Sequence, residues 1–265
     1  MLTDLDRARS LTAELRLQFD KADKATSQAV MADTDEASIA FAKEAQQATA
    51  MVASDVAALG PLLTSLGYTQ ELEAFAAFQS SSSKYLKLDQ DILALAVENT
   101  NLKAQRMSFG PARQAADAFR DAISNVAGDA PAKDRCGANE LAQKAIVAVR
   151  EIQVLQAPHI AEADDQVMTR LEQDMAALEQ KARDSLTALS ELVGAAGGSK
   201  VALATASLDR FKDLSGQIVS LSRRNTNVRS LALSLREQTA LAAACDSRLR
   251  TLQQALDREG SKATR

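Results

Sequence analysis

Two tripeptides stand 126 residues apart: Asn99-Thr100-Asn101, followed by Lys103 and Arg106, and Asn225-Thr226-Asn227, followed by Arg229 and preceded by Arg223 and Arg224. An Asn amide both donates and accepts hydrogen bonds, and a guanidinium offers a bidentate fork to a carboxylate. Together these residue types suit recognition of a small carboxylate-bearing molecule. Taken alone, each cation reads as a solvated surface residue. His159 and Glu162 fall at the same level when residues are counted along the chain. Carrying each heptad through its interruptions places Asp33, Glu36, Asn99, His159, Glu162 and Asn225 on inward positions.

A buried polar group without a partner costs about 1–3 kcal/mol, so such a layer needs a reason. One reason is register, fixed at some cost in stability, as by buried Asn in coiled coils. The other is a pocket whose lining is satisfied by a ligand at Asn99, Lys103, Arg106, His159, Glu162, Asn225 and Arg229. Both readings stand on the sequence.

Other chemistry has less support. His159 and Glu162 form one H-x-x-E, whereas di-metal bundles use two E-x-x-H pairs. A haem or metal sensor through His159 is a separate reading, without a C-x-x-C-H attachment motif. No Ser/His/Asp set, phosphate loop or nucleotide fingerprint is visible, so the chain reads as a non-enzyme without a cofactor. Cys136 and Cys245 fall within about 7 Å of each other along the helix axis by residue counting, which predicts a disulfide in an oxidising compartment.

The elements that position these residues are helical. Ala, Leu, Glu, Gln, Lys and Arg dominate, aromatics make up only 3% of the chain, and Trp is absent, which suits a slim bundle filled by Leu, Ala and Val. Tyr85, Leu88, Ile92 and Leu95 stand over Phe211, Leu214, Ile218 and Leu221 at the offset of the tripeptides, so the chain is an internal repeat of two similar halves. Apolar spacing of three and four residues predicts helices over about 2–58, 69–127, 134–195 and 199–259. The first carries a local disturbance at Asp33–Glu36 and the third one at Pro158, each with a one-residue slip of the stripe. Gly60-Pro61 and Gly67 bracket the first turn, and Gly110-Pro111 predicts a kink. Helices of about 60 residues and about 90 Å, joined by short connections, predict an elongated all-α, up-down-up-down four-helix bundle with both tripeptides at one height.

The formal net charge is −4, without the basic stripe and stacking aromatics of a nucleic-acid binder. No run of 18 apolar residues and no secretory leader are evident, which fits a cytoplasmic protein or a soluble portion of a membrane protein.

The segments Glu98–Pro111 and Leu221–Ser234 resemble the extracytoplasmic helical sensor domains of bacterial methyl-accepting chemotaxis receptors, and similar domains occur in some sensor histidine kinases. The resemblance implies a four-helix bundle or its longer bimodular form with two stacked bundles and breaks at mid-height. It also implies a periplasmic location, flanking transmembrane helices, a homodimer, and recognition of a small metabolite such as an organic acid or amino acid. A structural or adaptor bundle without a small ligand is the alternative.

Overall fold

Every element of the structure, a computed structural model that describes residues 2–263, is helical, and no strand occurs among the described residues. The all-α bundle expected from composition is therefore what forms. The chain divides into two compact units. Unit 1 comprises the residues up to Asn99 together with those from Arg229 onward, and unit 2 comprises Thr100–Val228.

Unit 1 begins with α1 (Leu2–Met31) and α2 (Asp35–Leu66). These are two helices of a hairpin rather than one disturbed helix over 2–58. Thr34 is extended at φ −133° and its hydroxyl accepts the Ala37 N–H at 3.1 Å, a side-chain N-cap. Asp35 and Glu36 then complement the positive end of the α2 dipole. Ser38 closes the hairpin by donating to the carbonyls of Ala29 at 3.1 Å and Ala96 at 3.0 Å. The polar patch thus caps a new helix, and Asp33 and Glu36 are exposed rather than inward.

Pro61 lies inside α2, so the turn comes later, at Gly67, whose φ of 71° places it in the left-handed region that ends helices. Next comes α3 (Thr69–Glu98), and α10 (Thr239–Ala263) returns to complete the unit. Phe19, Phe78 and Tyr85 form the aromatic centre of its core, with Phe19 4.6 Å from the Tyr85 ring and 6.3 Å from Phe78. By length and composition alone α2 could cross a membrane, with a mean hydropathy of 1.3 over its most apolar window. This qualifies the sequence reading that excluded a span, although Ala45, Val52, Leu59 and Leu63 of α2 are buried in the fold.

Unit 2 contains α4 (Thr100–Met107), α5 (Arg113–Gly128), α6 (Arg135–Ala161), α7 (Asp165–Val193) and α8 (Gly198–Arg224). The expected helix over 134–195 is again a hairpin. Glu162 Oε1 accepts the N–H groups of Ala163 and Asp164, and Asp164 then caps α7 by accepting from Gln166 and Val167. Pro158 does not interrupt α6. The core here is built largely of Ala, with Phe119, Phe211, Ile123 and Ile218.

The repeat governs both units. A π-turn over Ser108–Ala112 follows α4, and a π-turn over Ser234–Gln238 follows α9 (Thr226–Leu233) at the same offset. The first contains the Pro111 expected to kink the chain; the second has no proline. There the Thr239 hydroxyl donates to the Ser234 carbonyl at 3.0 Å, the same oxygen that accepts the Thr239 N–H across the wider turn. Each unit takes three helices from one half of the repeat and its last from the other: α1, α2 and α3 with α10, and α6, α7 and α8 with α5.

The predicted disulfide does not form. Cys136 lies exposed in the first turn of α6 in unit 2, whereas Cys245 is fully buried among α10 core residues of unit 1, and both are free. The counting that brought them together treated each hairpin as one continuous helix, so it assigned them to a shared bundle.

Candidate functional site

Thr100 and Asn101 meet Asn225-Thr226-Asn227 inside unit 2. Asn99 and Asn225 adopt left-handed φ values of 50° and 54°, a conformation Asn tolerates, and each ends a helix. The next helix must start at once, with its first N–H groups lacking intrahelical partners. Each segment supplies them to the other. Thr226 Oγ1 accepts the Thr100 N–H, Thr100 Oγ1 accepts the Thr226 N–H, Asn227 Oδ1 accepts the Asn101 N–H and Asn101 Oδ1 accepts the Asn227 N–H, each at 3.1 Å. Asn101 Nδ2 donates to the Ile160 carbonyl at 2.6 Å and to Asn225 Oδ1 at 2.8 Å, and Asn225 Nδ2 donates to the Glu162 carbonyl at 2.7 Å. The side chains of Thr100, Asn101, Asn225, Thr226 and Asn227 are engaged in a reciprocal cap, which is the structural reading of the polar layer.

The other expected ligand residues scatter around this clasp. Lys103 is half-buried, while Arg106 and Arg229 are exposed. Glu162 serves its own turn. His159 is 1% exposed and engaged at both nitrogens: Nδ1 lies 2.9 Å from Ser222 Oγ, and Nε2 lies 2.8 Å from Glu172 Oε1. The Ser222 hydroxyl also donates to the His159 carbonyl at 2.7 Å, so both ring nitrogens are engaged by protein groups. Arg223 donates to Glu172 at 2.6 Å and to Thr169 at 2.7 Å, and holds the Glu172 carboxyl below its ordinary range, with His159 assisting. Deeper in the unit, Gln156 accepts from Ser108 at 2.6 Å and donates to Ser215 at 3.0 Å. These polar groups of unit 2 satisfy one another.

Unit 1 has a different interior, which the sequence reading did not single out. Asp89 is 2% exposed, and its Oδ1 accepts from Thr26 at 2.7 Å and from Gln238 Nε2 at 3.0 Å. Gln238 also reaches the Tyr85 hydroxyl at 3.2 Å, and Tyr85 donates to Asp23 at 3.0 Å. Neither carboxylate has an ion-pair partner among the described residues, and the buried Gln238 Oε1 has no donor. Burial pushes Asp89 up to about 6, against the Thr26 hydrogen bond and with the Asp23 charge adding to the rise. Asp23 is likewise raised by burial, and the Tyr85 hydroxyl is pushed far above its usual range by burial and by both carboxylates. The signal was available in the sequence. Asp89 lies four residues after Tyr85 and three before Ile92, a charge set into an apolar stripe.

Asp89 also lies in the wall of a groove of about 590 Å³ between α2 and α3, together with Thr49, whose hydroxyl oxygen is buried without a partner. Its walls include Ala42, Ala50, Leu86 and Leu93. The repeat places a second groove between α7 and α8, of about 260 Å³, lined by Met175, Glu179, Lys212, Ser215 and Val219 among others. Shifting Thr49, Ala53, Leu86, Asp89 and Leu93 by the repeat offset lands on these five residues in order.

No family model matches the chain, and a search of curated proteins finds no significant relative.

Proposed function

We propose that this chain is the periplasmic ligand-binding domain of a transmembrane chemoreceptor, a homodimeric sensor that recognises a small metabolite and passes a helix shift to a cytoplasmic signalling domain. The observation that carries the reading is the pairing of the first helix with the last. Arg9 meets Asp257 and Arg16 meets Asp246, each at 2.7 Å, so α1 and α10 run antiparallel, side by side, within unit 1. A domain whose first and last helices are so joined suits insertion between two membrane spans. A ligand seated against α3 biases one helix offset over another, by no more than its differential affinity for the two states.

The resemblance of Glu98–Pro111 and Leu221–Ser234 to chemoreceptor sensor domains supports the same reading, and the sensor domain of a histidine kinase is the alternative. The test is to place the chain between the membrane spans of a chemoreceptor and, separately, of a histidine kinase, and to screen organic acids, amino acids and amines for a change in output. A response in either fusion to at least one metabolite is the expected result. Fusions that are inserted and folded but silent to the whole set overturn the reading and leave a structural or adaptor bundle.

A further inference from the structure

We propose that the α2–α3 groove of unit 1 binds a primary amine lacking a carboxylate, with its ammonium head on Asp89 and its alkyl tail along the groove. Asp23 and Asp89 bring two carboxylates into one cluster whose protein donors are Thr26, Tyr85 and the Gln238 amide, none of them charged. Gln238 Oε1, on a residue 1% exposed, is an acceptor with nothing to accept, and Thr49 Oγ1 in the same groove is buried without a partner. An ammonium is donor-only and positive, the complement of such a cluster. Asp89 carries the only charge in the groove lining, so the groove offers no cation to hold a ligand carboxylate. The walls of Ala42, Ala50, Leu86 and Leu93 suit a short methylene chain, and Gln46 and Gln90 at the rim can accept from a second amine.

The second unit argues that the carboxylate is not demanded by the fold. At the position of Asp89 it has Ser215, bonded to Gln156, and its own groove carboxylates are paired with cations. A buried, uncompensated charge costs stability and persists where something else uses it.

The inference rests on the sensor reading for its purpose, and its test is direct binding to the purified chain near neutral pH. The probes are n-butylamine and putrescine, with butyrate and 4-aminobutyrate as carboxylate counterparts, followed by calorimetry and thermal shift. The expected result is that one or both amines bind and raise the melting temperature while butyrate does not. Asp89→Asn should weaken amine binding at least about tenfold through loss of the charged hydrogen bond, and Ala50→Trp, which obstructs the groove while leaving the residues of the polar cluster unchanged, should abolish it. Ser215→Ala in the other unit should leave it unchanged.

Absence of amine binding up to about 10 mM, beyond ordinary metabolite affinities, overturns the proposal. So does binding that survives both Asp89→Asn and Ala50→Trp in folded protein, or a magnesium or calcium ion that binds at Asp89 in place of the amine. If acids alone bind, or a fusion receptor answers only to acids, this inference fails and the sensor reading stands; fusions silent to every metabolite fail the sensor reading itself.

Discussion

The two grooves are built on the same plan and finished in opposite ways. In unit 2, Met175 takes the place of Thr49, while Glu179 and Lys212, standing where unit 1 has Ala53 and Leu86, form an ion pair at 3.1 Å. That groove is smaller, about 260 Å³ against about 590 Å³, and its carboxylates have partners. Unit 1 keeps small residues on its walls and two carboxylates without counter-charge behind them. The difference teaches that a helical repeat can hold its backbone fixed while one copy is given over to stability and the other keeps an unsatisfied interior.

The largest effect should come from the clasp, which belongs to unit 2 alone. Asn101→Ala removes the side chain that bonds Asn227 N, Asn225 Oδ1 and the Ile160 carbonyl. With each buried orphan costing about 1–3 kcal/mol, a loss of about 3 kcal/mol or more is expected in chemical denaturation. The unfolding should then split into two transitions, with unit 1 the later. A single unshifted transition would show that the reciprocal caps carry no weight.

Asp89→Asn should act in the other direction. The folded pKa of Asp89, about 6, lies above its ordinary 3.8, so the folded state holds a proton that the unfolded state releases between those values. The resulting penalty is fully present above about pH 6 and fades as the pH falls toward 4. Replacing the carboxylate with a neutral amide should therefore stabilise unit 1 near neutral pH by about 1–3 kcal/mol. A neutral or destabilising result would mean that the cluster is already matched and would remove the contrast with unit 2.

Acid should then drive the two units apart. Glu172 of unit 2, held low by Arg223 and His159, contributes stability that is present above its ordinary 4.5 and lost as the pH falls through its lower folded value. Asp89, facing Asp23 and Tyr85, gains over the window in which it protonates. Hydrogen exchange resolved by segment, followed from pH 7 to below the folded value of Glu172, should show α3 better protected by pH 4 and α7 losing protection only below about 4.5. Parallel loss in both would count against the assignment of charges.

The all-α class and the repeat were legible because both reside in periodicity, and the matched tripeptides were correctly found to be the unusual feature. The two hairpins were not legible as turns. Ala32-Asp33-Thr34 and Glu162-Ala163-Asp164 contain neither Gly nor Pro, and a helix that returns against the same core resumes its stripe almost in phase. The cap residues Thr34 and Asp164 were the available signal. Pro61 and Pro158 misled in the opposite sense, since both lie within a turn or two of a helix end and are tolerated there. Once each hairpin was read as one rod, Cys136 and Cys245 were counted into one bundle and Asp33 was turned inward. The amine-binding candidates were missed for a different reason: Asp89 and Gln238 are single polar residues on apolar faces, and only the fold shows that they converge.

The cysteines provide the finest probe of the comparison, because each unit owns one and neither lies in a groove. Cys136 is exposed at the start of α6, whereas Cys245 is fully buried and its thiol is pushed up to about 11 by burial. An alkylating reagent should label Cys136 promptly in the native protein and reach Cys245 only when unit 1 opens, since the thiolate is the reactive species. Gel mobility should not change with reductant. The rate at Cys245 then measures opening of the acceptor-rich unit specifically. An amine that seats on Asp89 binds only the closed form, so it should slow Cys245 labelling by about the factor 1 + [L]/Kd while leaving Cys136 untouched. Equal slowing at both sites would mean that the ligand acts on the whole chain, and the separation between a stabilised unit and a receptive one would fail.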